Sequence, residues 1–256
     1  MEYWLNRFDV FLLVLLRVSA LLTVAPIFGH RVFLGRAKIG LAFMVSLVLL
    51  PLADAGAPPP PEGFWPYAFM MLGEVIMGLV LGFAVLLLFV GIQFAGQLAG
   101  LQMGFGIVNV IDPQSSEQVS IIGQFLNILT VLLVLAMSGH HMILNGLAGS
   151  FDAVPLGGVV LKGQVLDKLI LLSGQVFVVA VKISAPIMVA LFLVSVAMGI
   201  LARTVPQMNV FIVGFPVQVA VGLGLLMAML PLFYNVLHKV LLALERDLFA
   251  LVDFMG

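Results

Sequence analysis

The chain has 256 residues, of which 63% are hydrophobic and 9% charged, with a net charge of -1 and a mean hydropathy of +1.25. A soluble domain carries about 25% charged residues to cover its surface, so hydrocarbon or partner subunits must solvate much of this exterior. The near-neutral charge argues against a nucleic-acid partner, which calls for a basic patch or stripe, and the absence of cysteine excludes disulfides and thiolate chemistry.

The length points to a single domain, 1–256. The N-terminal stretch lacks a basic n-region and a small-residue cleavage site, so it reads as the mature start rather than a signal peptide. Tyr3 and Trp4 suit a water–lipid interface. A first membrane-spanning helix is expected over residues 11–28, containing Arg17 and closed by Pro26. A basic knuckle of His30, Arg31, Arg36 and Lys38 follows, then a second span over 39–53. Residues 54–66 form an acidic connector whose run Pro58-Pro59-Pro60-Pro61 fits neither helix nor sheet interior.

Beyond it the sequence changes character. No Asp, Glu, Lys or Arg lies between Glu74 and Asp112, between Glu117 and Asp152, or between Arg203 and Lys239. The first of these runs is too long for one span and too weakly punctuated for two spans joined by a solvated loop. Such runs predict kinked helices or hairpins, tolerated at membrane depth only when buried in protein or lining a cavity. Residues 146–164, with Pro155 and Gly157-Gly158, predict a loop with little helix. A helical run over 165–201 is interrupted by Lys182 and Pro186, and another over 210–233 carries Pro216 and Pro231 as kinks. The tail, about 234–256, is amphipathic and suits a membrane surface or a partner. The fold class is therefore all-α, with long kinked helices and hairpins in a membrane.

Several constellations stand out. Gly78 and Gly82, and Gly96, Gly100 and Gly104, repeat every fourth residue, which serves tight helix packing or a hinge. The segment Gly104-Phe105-Gly106-Ile107-Val108-Asn109-Val110-Ile111-Asp112-Pro113 reads as an irregular apolar stretch after a helix end near Gly104 or Gly106. Such a stretch is either a re-entrant packing loop or a movable plug across a pore. Arg17, Glu74, Lys182 and Arg203 are charges at membrane depth, which must pair or face water. Subunit–subunit ion pairing, snorkelling at a helix end or, for Glu74, a proton relay would each accommodate them. His140 and His141 are adjacent, and no HExxH, Cys/His cluster or GxSxG motif appears, so neither metal, cofactor nor enzymatic chemistry is expected. The 14 methionines fill gaps or form a soft constriction.

In order, Arg17-Val-Ser-Ala-Leu-Leu-Thr-Val-Ala-Pro26, Lys38-Ile-Gly-Leu-Ala, Gly100-Leu-Gln-Met-Gly-Phe and Asp112-Pro113 form one half of a longer pattern. Gly139-His140-His141, Leu156-Gly157-Gly158 and Asn209-Val-Phe-Ile-Val-Gly-Phe-Pro216 with Gly222 complete it. This order and spacing, from about Arg17 to Pro231, resembles the FliR family of flagellar type III export-gate proteins, whose virulence counterpart is SctT. The resemblance implies one such chain with five FliP and four FliQ in a helical spiral, with FlhB and FlhA alongside. It also implies placement in the bacterial inner membrane at the flagellar basal body, projecting towards the periplasm, and passage of unfolded flagellar subunits. In such a gate the segment 104–117 would plug the closed channel. The competing readings are an export-apparatus subunit of a virulence type III secretion system, a purely structural scaffold, a small-solute transporter, which would need a repeat interface that the sequence lacks, and an intramembrane enzyme.

Overall fold

A computed structural model describes residues 2–29, 34–54, 63–105, 120–205, 207 and 209–256. Among them are nine helices: α1 (Glu2–Val24), α2 (Pro26–Gly29), α3 (Gly35–Asp54), α4 (Phe64–Gln102), α5 (Ile121–Ala136), α6 (Gly139–Ala153), α7 (Gly163–Thr204), α8 (Val210–Ala228) and α9 (Leu230–Met255). No strand occurs among the described residues. By length and composition α3, α4 and α7 can each cross a membrane; the broken pairs α5–α6 and α8–α9 raise the number to five if each counts as one span. The chain is an all-helical membrane protein.

The residues fall into two compact units. The first takes Met1–Leu88, Val134–Ser173 and Leu241–Gly256; the second takes Phe89–Leu133 and Gly174–Val240.

In the first unit, α1 buries Val10, Leu13, Val14, Arg17, Val18 and Leu21. Their spacing of three and four is one face of a helix, and it carries Arg17 inward with the apolar residues. The α4 stripe of Glu74, Met77, Leu81 and Val85 behaves likewise. The two helices approach closely because Gly78 and Gly82 have no side chain. A Cβ at Gly82 would lie 2.9 Å from Val24 Cβ and 3.1 Å from the Leu21 carbonyl, and one at Gly78 would meet the Arg17 backbone. α3 packs on α1, with the Phe11 and Phe43 rings edge to face at 5.2 Å. Lys38 Nζ donates to the Gly29 carbonyl at 2.7 Å, satisfying the C-terminal end of α2. The outer face of α3 stays apolar and uncovered, with Ile39, Met44 and Val48 exposed.

Several sequence expectations change here. Residues 146–153 are not loop: α6 runs through them to Ala153. Gly146 and Gly149 are contact points in it, where a Cβ would reach Leu248 Cδ1 at 3.1 Å and Phe249 Cε1 at 2.8 Å. Their partner is the amphipathic tail. Leu241, Leu244, Leu248, Leu251, Val252 and Met255 of α9 are buried within this chain itself, and Val160 N–H donates to the Met255 carbonyl at 2.9 Å. The sequence suggests a membrane surface or a partner as the cover of that face, whereas the chain itself covers it. Ser138, with φ 57°, ends the α5–α6 continuity in the left-handed region. Neither Lys182 nor Pro186 interrupts α7, which is continuous over 42 residues. Pro216 likewise lies inside α8, and the chain breaks at Met229, two residues before Pro231, whose ring cannot accept a helical neighbour four residues back.

In the second unit, Ala99, Met103, Ile122, Ile187, Leu191 and Leu226 form a buried apolar cluster from α5, α7, α8 and the end of α4, with Phe105, Val221, Leu225 and Met229 packed at its edge. Phe94 and Phe177 meet edge to face at 5.6 Å. The faces of α7 that bear Val189, Phe192, Leu193 and Ile200 are exposed.

Candidate functional site

Residues 106–117 of the expected plug lie outside the described residues. The structure does describe the points where the chain leaves α4 and rejoins α5, both in the second unit. Gly104 N–H donates to the Leu101 carbonyl at 3.1 Å, and Phe105 N–H to the Gly100 carbonyl at 3.0 Å. Those two bonds with a glycine at φ +92° form a Schellman motif, which satisfies the last carbonyls of α4 and stops the helix. The accompanying apolar contact is present, since Phe105 packs on the cluster containing Ala99.

α8 holds this helix end from the side. A Cβ on Gly104 would lie 2.7 Å from Phe215 Cε2, and one on Gly222 would lie 2.6 Å from Met103 Cγ. Met103 is fully buried. Gln218 Nε2 donates to Ser195 Oγ at 3.1 Å, tying α8 to α7 at the same level of the unit. Substituting Gly104→Ala therefore adds a left-handed Cβ penalty to a steric one. It is expected to destabilise the chain by about 1–3 kcal/mol, read as a lowered unfolding midpoint of the purified protein in detergent. An unchanged midpoint would mean that the turn relaxes freely.

The re-entry point is Ser120. Its Oγ accepts from Gly123 N–H at 3.2 Å as the N-cap of α5, and donates to the Gly96 carbonyl of α4 at 3.4 Å. α4 and α5 touch backbone to backbone there. A Cβ on Gly96 would lie 2.5 Å from Gly123 Cα, and one on Gly100 2.7 Å from Ser120 Oγ. Thus Gly78 and Gly82 receive α1, whereas Gly96 and Gly100 receive the start of α5. The segment between Phe105 and Ser120 begins and ends at the same end of one glycine-seated helix pair.

The membrane-depth charges separate into two kinds. In the first unit, Arg17 and Glu74 are wholly buried and meet, with Arg17 Nε donating to Glu74 Oε2 at 2.6 Å. Arg17 Nη1 also donates to the Ser150 carbonyl at 2.8 Å and to Ser150 Oγ at 3.0 Å, and Nη1 and Nη2 both reach the Val154 carbonyl at 3.3 Å. The cation therefore caps the C-terminal end of α6, where the helix dipole is negative. Its guanidinium carbon lies 4.3 Å from the Phe151 ring centroid. Glu74 Oε1 accepts from Gly157 N–H at 2.9 Å. Gly157 has φ +76° in a turn closed by Gly158 N–H donating to the Pro155 carbonyl at 2.9 Å. Every charged oxygen and most donors of the pair are thus engaged inside one chain.

Lys182 and Arg203, by contrast, stand exposed on α7. His140 and His141 lie side by side in the first turn of α6, ring centroids 4.1 Å apart. No group of three metal-binding side chains is found among the described residues.

Sequence reasoning singled out Arg17 and Glu74 separately but did not pair them. Their opposite charge, each alone within a long apolar stretch of its helix, was the available signal. Phe215, Gln218 and Ser195 were missed, because nothing in an apolar helix marks which polar or aromatic residue faces a neighbour.

The family described as "Bacterial export proteins, family 1" matches residues 8–244. The chain is 37% identical to the flagellar biosynthetic protein FliR of Bacillus subtilis (strain 168), over 97% of each chain. It is 32% identical to that of Pectobacterium carotovorum subsp. carotovorum, over 91% of this chain and 89% of the relative. To that of Escherichia coli (strain K12) it is 30% identical, over 90% and 88%. With matches of this extent and an all-helical apolar fold, the chain belongs to the FliR family of bacterial export proteins, as a membrane subunit of the flagellar export apparatus.

Proposed function

We propose that this chain is the single FliR-like subunit of an export gate with five FliP and four FliQ, and that the segment beginning at Gly104 seals the closed channel. FlhB and FlhA lie beside this gate, unfolded flagellar subunits pass through it, and the assembly sits at the inner membrane projecting towards the periplasm. The chain performs no covalent chemistry in this role and needs no cofactor.

The observation that carries the sealing role is the anchoring of the segment. Its first residue is the Schellman glycine of α4, its last flank is the N-cap of α5, and both ends are seated on α4. An apolar run held at both ends on packed helices can occlude a pore without unfolding its support. Ile107, Val108, Val110 and Ile111 supply side chains that exclude water and ions, and the neutral Asn109 adds no charge. The exposed apolar faces of α3 and α7 leave surface for lipid or partner subunits to cover, as a place in a membrane assembly requires.

The test is co-purification with FliP and FliQ followed by native mass spectrometry. The expected result is a defined hetero-oligomer with one copy of this chain. A stable monomer or homodimer that ignores both partners would refute the gate reading.

A further inference from the structure

In the second unit, four carboxamides of α4 and α5 gather along one seam. Going round α4 at about 100° per residue, the buried Ala99 and Met103 come first, then Gly96 and Gly100 against α5, then Gln93 and Gln97. Round α5 the order is the same: the buried Ile122 and Leu126, then Gly123 against α4, then Asn127 and Gln124. A Cβ on Gly123 would lie 3.5 Å from Gln97 Cγ, so Gln97 leans on the seam itself. Gly96 meets Gly123 and Gly100 meets Ser120. The helices therefore run antiparallel, with Asn127 level with Gln93 and Gln124 level between Gln93 and Gln97. The remaining polar residue of α5, Thr130, is buried and donates to the Leu126 carbonyl at 2.6 Å. Beyond the amides both helices turn apolar again, with Val90, Leu101, Phe125 and Ile128 exposed.

All four amides are half-buried, and none makes a side-chain hydrogen bond among the described residues. Nor are their polar atoms enclosed, since among the described residues the enclosed side-chain atom without a partner is His140 Nδ1. The row is open to whatever lies outside it. Hydrocarbon does not suit that place, because it offers a carboxamide nothing to bond. A partner helix has satisfied its own backbone and would need several polar side chains in matching register. An extended polypeptide carries a free N–H and C=O at every residue, about 3.3 Å apart. Gln93 and Gln97 lie about 6 Å apart along α4, roughly two such steps. A carboxamide both donates and accepts, so it bonds main chain whatever the side chains are, and being neutral it does not select among them. The row also ends beside Ser120 and its bond to Gly96, an anchor of the proposed plug.

Given the export gate proposed for this chain, on which the inference rests, we propose that Gln93, Gln97, Gln124 and Asn127 form a contact site for the main chain of the unfolded polypeptide in transit. Their amides replace water that the backbone sheds on entering the gate, at the place where the plug is anchored.

The test uses the full chain assembled with FliP and FliQ in cells that export a substrate halted by a folded domain fused to its end. A photo-crosslinking amino acid stands in place of Gln97 or Gln124 and, as a control, of Ile128 on the outer face of α5. Adducts with the halted substrate are expected at Gln97 and Gln124 and not at Ile128. Changing all four amides to Leu is expected to slow export about fivefold, roughly the effect of one lost hydrogen bond, for substrates of unlike sequence and at unchanged amounts of complex. Each cross-linking variant alters a single position, so its result does not depend on the stability of the fourfold variant. Adducts from Gln97 and Gln124 with FliP, FliQ or lipid alone, in a complete complex, would overturn this inference and leave the gate reading standing. So would export at the wild-type rate by the assembled fourfold variant. Failure of the wild type to form a complex with FliP and FliQ would defeat the gate reading and this inference with it.

Discussion

Replacing Arg17 with Met is expected to destabilise the chain by about 3–5 kcal/mol, because the change leaves Glu74 buried without its counter-charge. The Ser150 and Val154 carbonyls lose their shared donor at the same time, so the end of α6 is uncapped. Glu74→Gln acts at the other end of the pair. Its amide oxygen can still accept from Gly157 N–H, but its amide nitrogen then faces Arg17 Nε, donor against donor. Exchanging both residues for Met removes the unpaired charge and is expected to recover part of the stability lost by Arg17→Met, the remainder staying lost because the Ser150 and Val154 carbonyls and the Gly157 N–H are still without their partners. Unfolding of the wild type, Arg17→Met, Glu74→Met and the double variant in detergent, compared as a double-mutant cycle, measures the coupling. Single-variant midpoints equal to wild type would show that the pair contributes no stability. The same variants separate structure from transport. Loss of assembled complex is expected for Glu74→Gln, whereas a complete complex that no longer exports would revive the proton-relay reading of Glu74.

Changing Ile107, Val108, Val110 and Ile111 together to Gly is expected to make the inner membrane permeable to small ions when the variant is assembled with its partners. Each of these side chains contributes about 1.5–3 kcal/mol when buried against apolar surface, and glycine also frees the backbone of the segment. The readout is collapse of the membrane potential, followed with a potential-sensitive dye, in cells that contain comparable amounts of complex. An assembled variant that seals as well as the wild type would rule out a plug built from these side chains and favour a scaffold role. Because Gly104 and Ser120 are untouched, the anchors at either end are preserved in this variant.

The two experiments address opposite halves of the molecule's chemistry. The Arg17–Glu74 pair binds α1, α4 and α6 and the turn at Gly157 into the first unit with charge-assisted bonds that no apolar contact reproduces. The second unit has no such pair among the described residues and relies on the Met103 cluster and on backbone contact at Gly96 and Gly123. Apolar packing of that kind can be rearranged at lower cost than a buried ion pair can be opened, which suits a unit that holds the ends of the proposed plug.

Composition pointed to a membrane, because 9% charged residues cannot cover a soluble surface, and the long uninterrupted apolar runs called for helices rather than strands. The order of short motifs sufficed to recognise the family, and the Gly-Phe-Gly run located the end of α4 to within a turn. Tertiary structure decided the rest, for reasons of direction and company. Pro186 reads as an interruption along the sequence, yet the packed helix continues through it, since neighbours in a dry environment make a helical backbone hard to replace. Gly146 and Gly149 read as loop residues, but they are the seats of Leu248 and Phe249. The tail's amphipathic pattern called for a covered face, and the chain itself covers it. Arg17 and Glu74 were conspicuous as charges, but their 2.6 Å contact joins residues 57 positions apart. A one-dimensional pattern records which face of a helix is apolar, whereas which partner that face meets is settled only when all the helices pack.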